Sequence, residues 1–286
     1  MIKTRVLTII LLAGLVSWKS LPPAAPAVLV GAGDIAECGS GDDEATAKLL
    51  DGIAGTVFTT GDNAYDEGTH SEFGRCYNQS WGRHKARTRP VPGNHDYETS
   101  GASGYFGYFG DAAGDPSKGY YSYDLGAWHV VALNSNISMS SGSSQERWLK
   151  ADLAASTKKC TVALWHHPRF SSGTRHGNDS RSEAVWKALY DAGADLVVVG
   201  HEHNYERFAP QTATGGADPA RGIREFVVGT GGRSYYPFGS PEPNSEVRNT
   251  GTFGVLKLTL SDGSYTWEFV PVAGKSFTDR GTDTCH

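Results

Sequence analysis

The sequence predicts a mixed α/β (α+β) fold, a β-sandwich core with helices on its outside. Three observations predict it. Short apolar, β-branched runs recur along the chain and end in turn residues. Helix-start signals fall between some of these runs. The 36 glycines and 13 prolines call for many tight turns, which suits sheets better than a helical bundle.

The strand candidates are 27–30, 56–60, 128–133, 160–165, 195–199, 224–228, 252–260 and 264–270. Three helices are expected. One starts near Asp42 or Asp43 and runs to Leu50. A second follows Ser143, where Glu146 stands at capping-box spacing and Trp148, Leu149 and Leu153 share one face. A third follows Ser180, where Glu183 repeats that spacing ahead of Val185, Trp186 and Leu189. Residues 101–119, rich in Gly, Tyr and Phe, and the small, polar residues 211–222 read as surface loops. Neither is a domain linker, and there is no internal repeat or heptad. Residues 28–286 are therefore expected to form a single domain.

Composition narrows the class. Hydrophobic residues are 38% and charged residues 20%, which fits neither a disordered chain nor a multi-span membrane protein. The net charge is -5 and there is no basic run, so no nucleic-acid-binding surface is expected. Residues 1–27 read as a signal peptide. Lys3 and Arg5 precede the apolar stretch 6–16, which is too short to span a bilayer comfortably. The alternative is a buried N-terminal helix. Ala25-Pro26-Ala27 has the small residues of a cleavage site with a proline inside it, so the site of cleavage stays open. No cysteine follows the apolar stretch, so no lipid or membrane anchor is expected. An exported chain with Cys38, Cys76, Cys160 and Cys285 reads as disulfide-bonded. Three pairings are possible. Cys38–Cys76 is favoured because each follows a glycine–aspartate loop, Gly33-Asp34 and Gly61-Asp62, a candidate for metal binding on the grounds given next, which leaves Cys160–Cys285.

Five short motifs end or follow the strand candidates: Gly33-Asp34, Gly61-Asp62-Asn63-Ala64-Tyr65, Gly93-Asn94-His95-Asp96, His166-His167-Pro168 and Gly200-His201-Glu202-His203. Each pairs a buried strand with a polar residue at a sheet edge, where open α/β sheets place ligands. A glycine lets the turn approach closely. Singly, each motif is no more than turn or loop polarity. Together they supply Asp34, Asp62, Tyr65, Asn94, His166, His201 and His203. Seven oxygen and imidazole donors exceed one coordination sphere and suit two ions sharing a carboxylate. The donor types suit Fe, Mn or Zn.

This ordered set resembles the calcineurin-like metallophosphoesterase superfamily, over roughly the residues from Ala27 to Arg207. Within it the chain is similar to the purple acid phosphatases. Ala36 stands where other superfamily members carry a histidine ligand, and Tyr65 stands three residues after Asp62, as in that subgroup. Tyr205-Glu206-Arg207 also fits the subgroup. The resemblance implies a four-layer sandwich, two central β-sheets flanked by helices. It implies Fe(III) on Asp34, Tyr65, His203 and bridging Asp62. It implies a divalent Fe, Zn or Mn ion on Asp62, Asn94, His166 and His201. It makes His95 a phosphate-contacting catalytic residue and His176 an outer-sphere one, with simple loop polarity as the alternative for His176; Asp96 reads either as the group orienting His95 or as an idle, exposed loop carboxylate. His167 is expected to point away. His70, His84, His129 and His286 are left structural.

The implied activity is secreted hydrolysis of a small-molecule phosphomonoester by hydroxide generated at the binuclear centre. The trivalent and divalent charges, less three anionic ligands, leave roughly two positive charges to attract phosphate and acidify water. A phosphodiesterase of the same superfamily and a non-catalytic binding module on the same fold are the alternatives. The natural substrate and the oligomeric state have no sequence signature.

Overall fold

The computed structural model describes Met1 and residues 25–286. Most of the expected signal peptide lies outside the described residues. The chain opens with β1 (Ala27–Ala32), β2 (Ala36–Glu37), α1 (Asp42–Asp51), β3 (Thr56–Thr59), β4 (Ala64–Tyr65) and α2 (His70–Arg75). It continues through β5 (Thr88–Arg89), α3 (Ser103–Phe109), β6 (Tyr121–Leu125), β7 (Trp128–Ala132), α4 (Ser144–Ala155) and β8 (Cys160–Leu164). Then come α5 (Glu183–Asp191), β9 (Leu196–Val199), β10 (Tyr205–Phe208), β11 (Arg224–Val228), β12 (Ser245–Asn249), β13 (Gly254–Ser261), β14 (Ser264–Pro271) and β15 (Arg280–Thr284).

Two large sheets form the centre. One has the order β15-β14-β13-β1-β3-β5, the other β12-β10-β11-β9-β8-β7-β6. Their inner faces are locked by ring contacts from sheet to sheet: Trp128 on Tyr265, Phe226 on Trp267 and Tyr205 on Phe269. Burying each such ring stabilises the fold by roughly 1.5–3 kcal/mol before entropy is counted. Helices cover the outside. Trp186 of α5 packs on Trp165 just beyond β8, and Trp148 of α4 packs on Tyr120. On the far side, Thr46 of α1 accepts a hydrogen bond from Trp81 Nε1. The four-layer expectation therefore holds.

Both disulfides form as favoured, Cys38–Cys76 and Cys160–Cys285. The second joins the start of β8 to the residue after β15, so it staples the C-terminal strand of one sheet to the other sheet.

Several expectations need correction. Residues 101–119 are not a plain surface loop. They contain α3, whose Tyr105, Phe106 and Phe109 are buried. Tyr105 and Phe109 pack on Phe73 of α2. Glycines hid the helix, yet Gly104 is needed there, since a Cβ would sit 2.0 Å from the Gly68 carbonyl oxygen. The Ser180–Glu183 capping box does not form. Asp179 instead caps a short 3-10 turn, and α5 begins at Glu183. At Ser143 only half the box forms, with the hydroxyl accepting the Glu146 amide. The full capping box is at Thr69 and Glu72, where no helix was expected.

Topology explains where the motifs meet. Strands β1 and β3 run parallel, as do β7, β8, β9 and β11. The loops after β1, β3, β8 and β9 all leave from carboxyl ends. Backbone hydrogen bonds tie them together: Asp34 N to Gly61 O at 3.0 Å, Gly200 N to His166 O at 3.0 Å, and Gly33 N to Val228 O at 2.9 Å. The last of these crosses from one sheet to the other.

Candidate metal centre

Asp34 follows β1 and Asp62 follows β3, and both carboxylates are essentially buried, at 0% and 1% exposure. Their backbones are left-handed, with φ of 60° and 50°, and His201 has φ 70°. Such conformations cost on the order of 1–3 kcal/mol each in residues other than glycine. Among the described residues only Ala102 and Asn244 share this feature outside glycine, so the strain is concentrated at the candidate donors. Gly61 and Gly93 make the close approach possible. A Cβ on Gly61 would lie 2.6 Å from His166 Nδ1, and one on Gly93 would lie 2.0 Å from Asp62 Oδ1.

The donors fall into two groups that share Asp62. In the first, the Tyr65 hydroxyl lies 2.9 Å from Asp34 Oδ1, 2.9 Å from Asp62 Oδ2 and 3.3 Å from His203 Nε2. His203 Nε2 is 3.2 Å from Asp34 Oδ1. In the second, His166 Nε2 lies 3.3 Å from Asp62 Oδ2, 3.0 Å from Asn94 Oδ1 and 3.1 Å from His201 Nδ1. Neighbouring ligands at metal distances of ~2.1 Å stand about 3 Å apart at right angles, so these spacings match the edges of two coordination spheres.

The residues present fit metal cations on a second ground. A phenol has one proton and cannot satisfy three acceptors at once. Among the described residues, no Lys or Arg pairs with Asp34 or Asp62; their only ion-pair neighbours are His203, His95 and His166. Burial and the charges of Asp34 and Asp62 push the Tyr65 phenol well above its ordinary range. Burial would depress His166, but the Asp62 charge and hydrogen bond outweigh it and hold the ring at about 9. Burial and the neighbouring histidines drive His201 down. Two buried carboxylates, a phenol and three imidazoles thus face one another at close range, an arrangement that cations would satisfy.

Neighbours outside the cluster fix the rings. His166 Nδ1 meets the Thr60 carbonyl at 2.7 Å and His203 Nδ1 meets Ser234 Oγ at 2.7 Å, which leaves each Nε2 facing inward. This is how metal-binding histidines have their tautomer set. The Tyr236 ring stacks on His203 at 3.9 Å and 10°. Arg233 lies 4.9 Å above the Tyr65 ring while paired with Glu37 and Asp66. The Arg233–Tyr236 loop was missed from sequence. Its one signal was the glycine-rich run Gly229-Thr230-Gly231-Gly232 that follows a buried strand.

The remaining candidates are placed as follows. His95 donates its amide to Asp62 Oδ1 at 2.9 Å, its Nδ1 is 2.5 Å from the Asp66 carbonyl, and its Nε2 is 4.0 Å from Asp62 Oδ2. His176 is exposed, and its ring lies 3.8 Å from that of His201. Two expectations are corrected. Asp96 does not orient His95. It is buried and accepts from the Asn63 amide, Asn63 Nδ2 and the Gly93 amide, so it ties the second motif to the third. Burial and the Asp62 charge raise its carboxyl to about 7. His167 does not point away. Its ring is buried, packs 4.4 Å from that of His201 and has its Nδ1 held by Ser135 Oγ at 2.7 Å, a hydrogen bond that keeps it inside. His129, bonded to Asp124 and Asp152, stays structural.

Comparison with known proteins points to a family. Residues 18–205 match the family model for calcineurin-like phosphoesterase. The chain is 32% identical over 276 residues to purple acid phosphatase 21 of Arabidopsis thaliana, covering 86% of this chain and 60% of that protein. It is 35% identical over 170 residues to purple acid phosphatase 15 of the same plant, covering 53% and 32%. The chain thus spans less than two thirds of the length of these curated relatives. The fold is shared with a purple acid phosphatase from yellow lupin (Lupinus luteus) seeds, with a TM-score of 0.73 at 20% identity over 91% of this chain and 54% of that one. No helix among the described residues is long and apolar enough to cross a membrane.

Proposed function

This chain belongs to the calcineurin-like phosphoesterase family, and on that premise we propose that it hydrolyses phosphomonoesters at a pair of metal ions, in the manner of a purple acid phosphatase. The observation that carries the reading is the Tyr65 hydroxyl, 2.9 Å from both Asp34 and Asp62. Asp34, Tyr65, His203 and Asp62 would hold Fe(III). Asp62, Asn94, His166 and His201 would hold a divalent Fe, Zn or Mn ion. Hard oxygen donors beside imidazoles support that choice. The bound pair would supply positive charge to phosphoryl oxygens and acidify water.

The chain's own residues do the rest. Asp62 and Asp34 are buried and preorganised, so little reorganisation is needed during reaction. His95 donates Nδ1–H to the Asp66 carbonyl, which leaves Nε2 on the site side. That nitrogen would contact a phosphoryl oxygen and, with the ring as imidazolium, give its proton to the leaving alkoxide, which departs as the alcohol. His176, open to solvent beside His201, is the second such group. Two disulfides and the charge-then-apolar N-terminus support export to an oxidising compartment.

The test is hydrolysis of p-nitrophenyl phosphate against its bis ester. Turnover of the monoester, abolished by His201→Ala, supports the reading. Preference for the bis ester would make the protein a phosphodiesterase. Turnover of neither would remove the enzymatic reading.

A further inference from the structure

Glu202 stands between His201 and His203, yet it does not face the donor cluster. It is fully buried. Its Oε1 accepts the amides of His176 at 2.6 Å and Gly177 at 2.8 Å. Two successive N–H groups converging on one oxygen form a concavity suited to an anion. Gly177, at φ 70°, supplies the left-handed residue of this turn. Gly173 lies against the same carboxylate, and a Cβ there would be 2.2 Å from Glu202 Cδ.

The loop between Pro168 and Asp179 has little regular structure of its own, and buried carboxylates hold its backbone. Glu225 accepts the Arg169 and Phe170 amides at 3.0 and 3.2 Å. Glu206 accepts the Ser172 amide at 2.8 Å and its hydroxyl. Glu202 alone of the three binds the residue that carries the outer histidine. One short segment therefore sends two imidazoles to the candidate metal centre and a carboxylate to the loop that sets His176 against His201.

We propose that Glu202 is the positioning residue of His176, fixing the outer histidine relative to the metal ligands through the backbone of its loop. This rests on the phosphoesterase reading above. Because it acts through His176, its removal has no further effect once His176 is gone.

The experiment compares Glu202→Ala, Glu202→Gln, Gly173→Ala, His176→Ala and the Glu202→Ala/His176→Ala double variant in the full chain. The readouts are metal content, hydrogen exchange of the 169–178 peptide, and kcat and KM for p-nitrophenyl phosphate. In Glu202→Ala the expected result is faster exchange of that peptide, unchanged metal content and kcat lowered about tenfold, less than the roughly hundredfold or more that complete loss of an acid–base group costs. Glu202→Gln keeps an acceptor oxygen and restores most of the rate. Gly173→Ala, which displaces the carboxylate without removing it, repeats the Glu202→Ala defect. The double variant matches His176→Ala. Unchanged exchange, loss of metal, or a defect that multiplies with that of His176→Ala would overturn the proposal. An inactive wild-type protein would instead overturn the phosphoesterase reading, while exchange would still decide whether Glu202 holds the loop.

Discussion

The Tyr65 hydroxyl lies 2.9 Å from the Asp62 carboxylate, three residues earlier in the chain. The same carboxylate oxygen is 3.3 Å from His166 Nε2. Asp62 therefore stands between a phenol on one side and an imidazole on the other, the place a bridging ligand of the proposed metal pair would take.

Metal loading should release protons. Without a cation, Tyr65 keeps its phenolic proton and His166 holds one at neutral pH. Both must leave when those atoms become ligands. Adding metal to the metal-free protein in weak buffer should acidify the solution, and apparent affinity should rise with pH. Tyr65→Phe should release fewer protons. Equal release by both proteins would argue against a phenolate ligand.

Gly93→Ala should empty the site without unfolding the chain. The new Cβ would lie 2.0 Å from Asp62 Oδ1 and 2.3 Å from the Asp62 amide, so backbone must move. Misplacement of about 1 Å at a reacting centre costs on the order of a hundredfold in rate. Metal content and kcat should both fall while circular dichroism is preserved.

Far more of the site than of the sheet edges was legible in the sequence. Asp34, Asp62, Asn94, His166 and His201 each end a buried apolar strand or follow a glycine, so residue type and position coincide. Apart from the two-residue strands, those that escaped notice, β6, β10, β12 and β15, lie at or beside sheet edges and mix polar with apolar residues, as in Ser245–Asn249 and Arg280–Thr284. Contacts between distant segments were also hidden. Nothing in Asn94-His95-Asp96 says that Asp96 serves Asn63 rather than His95, and nothing near His176 names Glu202 as its anchor.

Asp195 should impose a pH dependence on stability. It accepts the amides of Thr161 and His286, and burial raises its carboxyl from 3.8 to about 7. The folded state thus binds more protons than the unfolded state between those values, and stability falls as pH rises from about 4 to 7. Asp195→Asn removes the charge and keeps one acceptor oxygen. The melting temperature of the variant relative to wild type should climb as pH rises from about 4.5 to 8. A constant difference would contradict this.

Removing the Cys160–Cys285 bridge should destabilise more than it inactivates. It closes a separation of 125 residues, for which chain entropy suggests on the order of 3–5 kcal/mol. In a chain of this size that lowers the melting temperature by roughly 5–10 °C. The Cys160→Ala/Cys285→Ala protein, assayed well below its midpoint, should keep near-normal turnover because neither cysteine lies at the donor cluster.

The most direct measurement is elemental analysis of the purified protein joined to its visible spectrum. The expected result is about two metal ions per chain, iron among them, with a visible charge-transfer band that Tyr65→Phe abolishes. Fully active, metal-replete protein without that band, or with a band unchanged in Tyr65→Phe, would contradict a tyrosine-bound ferric ion at the shared carboxylate.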